Sequence, residues 1–227
     1  KNKLCMSFPK TYYKEYINGS CKRIGQENTG LIKYEFNKQG FRCDIDYKKQ
    51  EENAICFFGS ALTTGVGHQW QDAYPKKSLQ DSNLKAYNFA QGCLPVDNNN
   101  ILEHVEFVKN MENFKPLCYV IQFIGLERVF DKKTLARTVS SDKDKNVKIF
   151  VDVFKKLEVL LQNDKWMFFG CDAGNHDIPK EITQHEKCII WNPRFIDSIL
   201  MDLPGPKWHH MMSLGVRKKL EKLYQIK

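Results

Sequence analysis

Asn53-Ala-Ile-Cys-Phe-Phe-Gly-Ser-Ala-Leu-Thr-Thr-Gly-Val-Gly67 opens on an apolar run and breaks at Gly59 into a loop of small residues, with further glycines at 65 and 67. Residues 54–58 carry no polar side chain, as expected of a central parallel strand covered on both faces. Glycine at the end of such a strand lets the backbone turn sharply and approach a ligand. The turn is therefore the first candidate for a functional site.

Outward from that strand, apolar runs and helical periodicities alternate. Lys85–Ala90 reads as a second strand, Leu117–Ile124 as a third and the most apolar segment, Trp166–Gly170 as a fourth and Lys187–Trp191 as a fifth. Between them, His68–Gln80 carries Trp70, Tyr74 and Pro75, then an amphipathic turn. Asn98–Asn113 reads as a helix with Ile101, Leu102, Val105, Val108 and Met111 on one side. Asn146–Gln162 is a second helix burying Phe150, Val153, Phe154, Leu157 and Leu160 or Leu161, and Lys207–Tyr224 closes the chain. This order predicts an α/β fold with a doubly wound parallel sheet of about five strands and right-handed crossovers. Ligands of such sheets sit beyond the C-terminal strand ends, which places the loops at 59–67, 90–97, 124–130, 170–178 and 202–210 on one rim. Residues 1–52 show no sustained period and read as an irregular N-terminal extension wrapped on a core domain at 53–227. Their aromatics (Phe8, Tyr12, Tyr13, Tyr16, Tyr34, Phe36 and Phe41) are expected to pack on the core or on a neighbouring subunit.

The 227 residues suffice for one α/β domain with an extension, and no apolar run approaches the roughly 18 residues that a bilayer span needs. The first residues lack the apolar core of a signal peptide. A net charge of +8 raises nucleic acid or a membrane surface as partners. The lysines, however, are scattered and flanked by acids, whereas a binding footprint clusters on one face, so neither partner is expected. The eight cysteines form no CxxC pair, and Cys56, Cys118, Cys171 and Cys188 lie in or beside apolar runs. Free cysteine there behaves as a small hydrophobe, and the expectation is a soluble protein of a reducing compartment.

The run Phe58-Gly-x-x-x-Thr-x-Gly65 resembles the first block of the SGNH (GDSL-like) hydrolases. Asn37-Lys-Gln-Gly-Phe-Arg-Cys-Asp44 is similar to the Asn-x-x-Gly-Phe-Arg segment that precedes it in members encoded by tailed phages. Pro204-Gly-Pro-Lys-Trp-His209 resembles their His-Pro-Gly-Pro-Lys-x-His segment. The resemblance covers residues 53–227 and implies a three-layer, flavodoxin-like fold. It also implies a catalytic triad, and here the chain departs from the pattern. Ala61 stands at the nucleophile position, Leu203 at the base and Leu200 at the orienting acid. The oxyanion donors implied are Gly92 or Cys93 after the second strand, and the loop Gly125-Leu-Glu-Arg128 after the third. There Glu127 takes the place of an asparagine, and Arg128 matches a Pro-x-Arg seen in phage-type members.

Serine-based acyl transfer needs nucleophile, base and orienting acid within hydrogen-bond reach, and none of the three implied positions supplies its group. An engineered Ser-to-Ala trap would explain Ala61 but not the two leucines. The expectation is a non-enzymatic structural or binding protein, as a phage virion component or a glycan-binding accessory. Its partners would be other subunits or a glycan, with a homo-oligomer open. The alternative is an acyl-esterase acting on carbohydrate or lipid esters through a displaced dyad of Ser60 with His209 or His210. Gly174-Asn-His-Asp177 looks like one block of the calcineurin-like metallophosphoesterases, but the other blocks are missing. No metal or cofactor is expected.

Overall fold

The computed structural model describes residues 20–21, 32–33, 37, 41–45, 53–66, 68–90, 96–131, 136–170, 178–191 and 204–226. Its centre is a five-stranded, all-parallel sheet made of β3 (Ala54–Phe58), β4 (Lys85–Asn88), β5 (Cys118–Phe123), β8 (Trp166–Gly170) and β9 (Cys188–Trp191), in the order β4-β3-β5-β8-β9. Phe57 pairs with Asn88 on one side and Val120 on the other, and Ile121 pairs with Phe168. Two antiparallel pairs lie outside it: β1 (Ser20–Cys21) with β2 (Ile32–Lys33), and the hairpin of β6 (Arg128–Asp131) with β7 (Ala136–Val139).

With a 3-10 turn at Trp70–Asp72, six α-helices accompany the strands among the described residues. They are α1 (Ala61–Thr64), α2 (Tyr74–Lys77), α3 (Asn98–Lys109), α4 (Lys143–Leu160), α5 (Lys180–Thr183) and α6 (Pro206–Tyr224). Alternation along the strands sends neighbouring residues to opposite faces. Ala54, Cys56 and Phe58 pack with Tyr119, Ile121, Phe123 and Phe168 under α3 and α4. Ile55 and Phe57 pack with Val120, Met167 and Phe169 under α2 and α6, against Tyr74, Trp208, Met212 and Val216. The result is the three-layer α/β architecture that the order of runs predicts, with no helix among the described residues long and apolar enough to cross a membrane.

Local chemistry moves some boundaries. α4 begins at Lys143 rather than at Asn146, because the Asp142 side chain accepts from the Lys145 N–H at 3.0 Å and caps a polar first turn that apolar periodicity does not register. Asp97 and Asn100 form a reciprocal capping box on α3, which ends at Lys109, four residues short of the expected end at Asn113. The β6–β7 hairpin takes in residues 128–130 of the rim loop expected at 124–130 and continues beyond it. Cys43, Cys56, Cys118 and Cys188 are buried free thiols. Burial pushes Cys43 and Cys188 up to about 11, so these thiols serve as core volume.

N-terminal to the expected domain start, Phe41 and Cys43 belong to the core. Phe41 packs edge-on against Phe89 with ring centroids 5.4 Å apart, and the Cys43 thiol donates to the Ala86 carbonyl of β4 at 3.3 Å. The other six aromatics named for the extension lie outside the described residues.

Candidate functional site

The turn after β3 is built around Gly59. A Cβ at that position would lie 2.4 Å from Thr63 Oγ1 and 2.5 Å from Gln122 Oε1. Glycine therefore admits the Gln122 side chain, which rises from the end of β5 into the space beneath α1. Gln122 Oε1 accepts from the Ser60 N–H at 3.2 Å and from the Thr63 hydroxyl at 2.6 Å, while its Nε2 donates to Ser60 Oγ at 3.0 Å. Thr63 has a single hydroxyl hydrogen, and Gln122 Oε1 can only accept. The 2.9 Å contact between Thr63 and Tyr74 is therefore a bond donated by the tyrosine. Asn88, at the end of β4, donates to the Thr63 carbonyl at 3.3 Å. The turn is thus mounted on the last polar residues of two strands, and its buried polar groups are paired.

Its far end is held by Arg42, which is 1% exposed. The guanidinium donates to the carbonyls of Thr64, Gly65 and His68, so it satisfies acceptors that a helix terminus leaves unpaired. Gly65 follows α1 with φ +74, and a Cβ there would lie 2.5 Å from Ala73 Cβ and 3.3 Å from Arg42 Nη1. The Gly-Phe-Arg of the sequence motif thereby acquires a physical role: Phe41 anchors the segment in the core and Arg42 fixes the loop after α1.

The start of α6 lies against the same loop. His68 Nε2 bonds the Pro204 carbonyl at 2.9 Å, which requires its hydrogen on Nε2. The Tyr74 backbone N–H donates to His209 Nδ1 at 3.1 Å. The two imidazoles are buried with ring centroids 4.2 Å apart, and Tyr74 stacks on His209.

These contacts define what each candidate can do. Ser60 is 6% exposed. Its hydroxyl engages Gln122, its carbonyl accepts from Thr64, and among the described residues no bond joins it to a histidine. Ala61 opens α1 and is partly exposed. His209 has its Nδ1 lone pair occupied by the Tyr74 N–H, so the neutral ring carries its proton on Nε2 and has no nitrogen free to accept one. His210 is exposed on the outer side of α6. Gly125 is buried under the Glu127 carboxylate, which also lies 3.8 Å from Arg128 Nε. The structure thus brings Ser60 together with Gln122 and His209 together with Tyr74 and His68. Leu200, Leu203, Gly92, Cys93 and the stretch 174–177 lie outside the described residues, as does the separation of Ala61 from Leu203. Among the described residues no group of three or more His, Cys, Asp or Glu could hold a metal ion.

Gln122, Asn88 and His68 are site residues that the motif reading passes over, whereas Thr63 and Arg42 are motif letters to which it assigns no role. One signal was present: Gln122 is a polar residue inside the most apolar strand of the chain.

No protein-family model and no curated protein sequence matches the chain. Solved structures do match its shape. A carbohydrate esterase family 2 enzyme with a carbohydrate-binding domain, from Myceliophthora fergusii, superposes with a TM-score of 0.54 at 9% identity, covering 78% of this chain and 68% of that one. A carbohydrate esterase whose active site is described as displaying divergent catalytic and non-catalytic binding functions gives 0.54 at 12% identity, covering 78% and 70%. A lipolytic-type G-D-S-L family protein from Desulfitobacterium hafniense gives 0.50 at 11% identity, covering 74% of this chain and 100% of its own. At such identities the likeness is one of fold. With the parallel sheet, the glycine turn after β3 and α6 closing over it, the chain has the fold of the SGNH-type hydrolases.

Proposed function

We propose that this chain is a catalytically degenerate protein on an SGNH-hydrolase fold, which binds a glycan or another protein subunit and does not transfer acyl groups. The observation that carries the reading is the division of labour between two adjacent residues. The hydroxyl of the turn is on the buried Ser60, bonded to Gln122, while the partly exposed position beside it, Ala61, offers only a methyl. A displaced dyad would need His209 to take the Ser60 proton, and His209 Nδ1 is already occupied by the Tyr74 N–H. Glycan binding is favoured by the carbohydrate-esterase neighbours, one of them described as having non-catalytic binding functions. A setting in a phage particle rests on the segments 37–44 and 204–209 alone.

Two measurements test this. The intact chain is expected to leave a fluorophosphonate probe unreacted, and labelling at Ser60 would overturn the reading. Ala61→Ser alone is expected to give no turnover of p-nitrophenyl acetate or of an acetylated sugar, since no base takes its proton and general-base assistance is worth about 10² to 10⁴ in rate. The comparison is Ala61→Ser/Leu200→Asp/Leu203→His. Turnover by the single variant would mean that a base is already in place.

A further inference from the structure

Among the described residues the two edges of the sheet are finished differently. The β4 edge is covered by residues 41–45, whose Cys43 thiol bonds the Ala86 carbonyl. At the opposite edge, β9 pairs with β8, and the Cys188 N–H turns back to the His185 carbonyl. Among the described residues that bond takes up the first outward donor of β9, and beyond it nothing hydrogen-bonds to the outer side of the strand, where Ile190 is 37% exposed. Beside this open edge runs a groove of about 420 Å³, bordered by Ile189, Ile190 and Leu223 and, from α6, by Lys219 and Lys222. Lys219 Nζ donates to the Glu186 carbonyl at 2.8 Å, and Lys222 has no ion-pair partner among the described residues. Burial, with the neighbouring Lys222 ammonium as a further cause, holds Lys219 below the usual lysine range. The Glu186 carboxylate also borders the groove, and His185 faces Glu158 at 3.6 Å.

An open edge offers a row of main-chain donors and acceptors that an extended peptide can complete. Ile189 lies on the α6 side of the sheet, so an added strand would turn every second side chain toward Lys219 and Lys222. Pairing of two β9 edges would instead bring two lysine walls together on chains that each carry a net charge of +8, which like-charge repulsion opposes. We infer that the edge of β9 left unpaired among the described residues is a docking strand for an extended acidic segment of a partner protein, with carboxylates at alternate positions facing Lys219 and Lys222 and apolar residues between them facing Ile190.

The test uses the full chain and fluorescein-labelled nine-residue peptides of alternating Glu and Val, or of alternating Lys and Val, read by fluorescence anisotropy. The Glu/Val peptide is expected to bind saturably and to shift the Ile189 and Ile190 amide resonances. Lys219→Glu/Lys222→Glu is expected to weaken binding at least tenfold. Ile190→Pro removes an edge donor at a position where an edge strand tolerates proline, and it is expected to abolish binding while leaving the thermal unfolding midpoint near that of the parent chain. Equal binding of the Lys/Val peptide, unchanged binding by the lysine variant, or shifts confined to residues away from β9 would overturn the inference. So would concentration-dependent dimerisation through β9 that the Glu/Val peptide does not compete away. None of these outcomes bears on Ser60 or Ala61, so the proposal for the turn stands or falls separately.

Discussion

The two faces of the sheet are made from the same strands, yet they differ at the rim. Under α3 and α4 the packing stays aromatic to the strand ends: Phe123 meets Phe150 at 5.0 Å and Phe154 meets Phe168 at 5.1 Å. Under α1, α2 and α6 the strands are apolar in their lower part, through Ile55, Ala86 and Cys118. They become polar at the top, where Asn88 and Gln122 carry the turn. One face is a core. The other ends in a hydrogen-bonded platform that positions a loop, and a loop so held can present the same backbone whether or not its exposed residue retains chemistry.

Four measurements would break or sharpen that contrast. The largest effect is expected on the aromatic face, where Phe123→Ala should destabilise by about 3–5 kcal/mol in denaturant unfolding, through lost transfer energy and a cavity. A loss below about 1 kcal/mol would mean that this face is not the main source of stability. Next is a buried histidine beside the same face, His104, which packs edge-on against Phe41. Burial lowers its pKa to about 4, outweighing the opposing pull of Glu103. The folded state keeps the imidazole neutral, whereas the unfolded chain takes a proton from about pH 6.5 downward. Stability contributed by this group should therefore be fully present above pH 6.5 and lost as pH falls toward 4, by on the order of 3 kcal/mol. A His104→Gln variant should flatten that slope between pH 6.5 and 4, and an unchanged slope would refute the assignment.

On the polar face, Gln122→Leu conserves volume but removes the acceptor of the Ser60 N–H. Leaving a buried donor unsatisfied costs about 1–3 kcal/mol, so a loss of about 2 kcal/mol is expected, with increased amide exchange confined to residues 60–66 of the turn. Uniform exchange across the sheet would show that the platform is not a local device. The smallest effect is expected for Ser60→Ala, about 1 kcal/mol for one lost hydrogen bond, with no change in fluorophosphonate reactivity. A residue that only holds the turn behaves in this way.

Much of the fold was legible in the chain. Five largely apolar runs marked the five parallel strands, because a strand covered on both faces is apolar over most of its length. The spacing of Phe150, Val153, Phe154 and Leu157 marked α4, because one helical face must meet the sheet. The turn at Gly59 was marked by its composition. The site was only half legible. Ala61 could be recognised as a residue without a nucleophilic group, since that is a property of the side chain alone. That Ser60 is spent on Gln122, and that His209 accepts from Tyr74, follows from contacts between residues 62 and 135 positions apart. No local pattern encodes such contacts.

Arg42 shows the same division. As a sequence letter it belonged to a motif in an irregular extension. As a folded residue it is a buried cation holding the carbonyls of Thr64, Gly65 and His68. The sequence determined the strands, the order of elements and the chemistry available at each position, because these depend on hydrophobic period, backbone freedom and side-chain type. Only the tertiary structure decided which polar groups are consumed in holding the turn, because desolvation obliges each buried donor and acceptor to find a partner wherever the fold brings one.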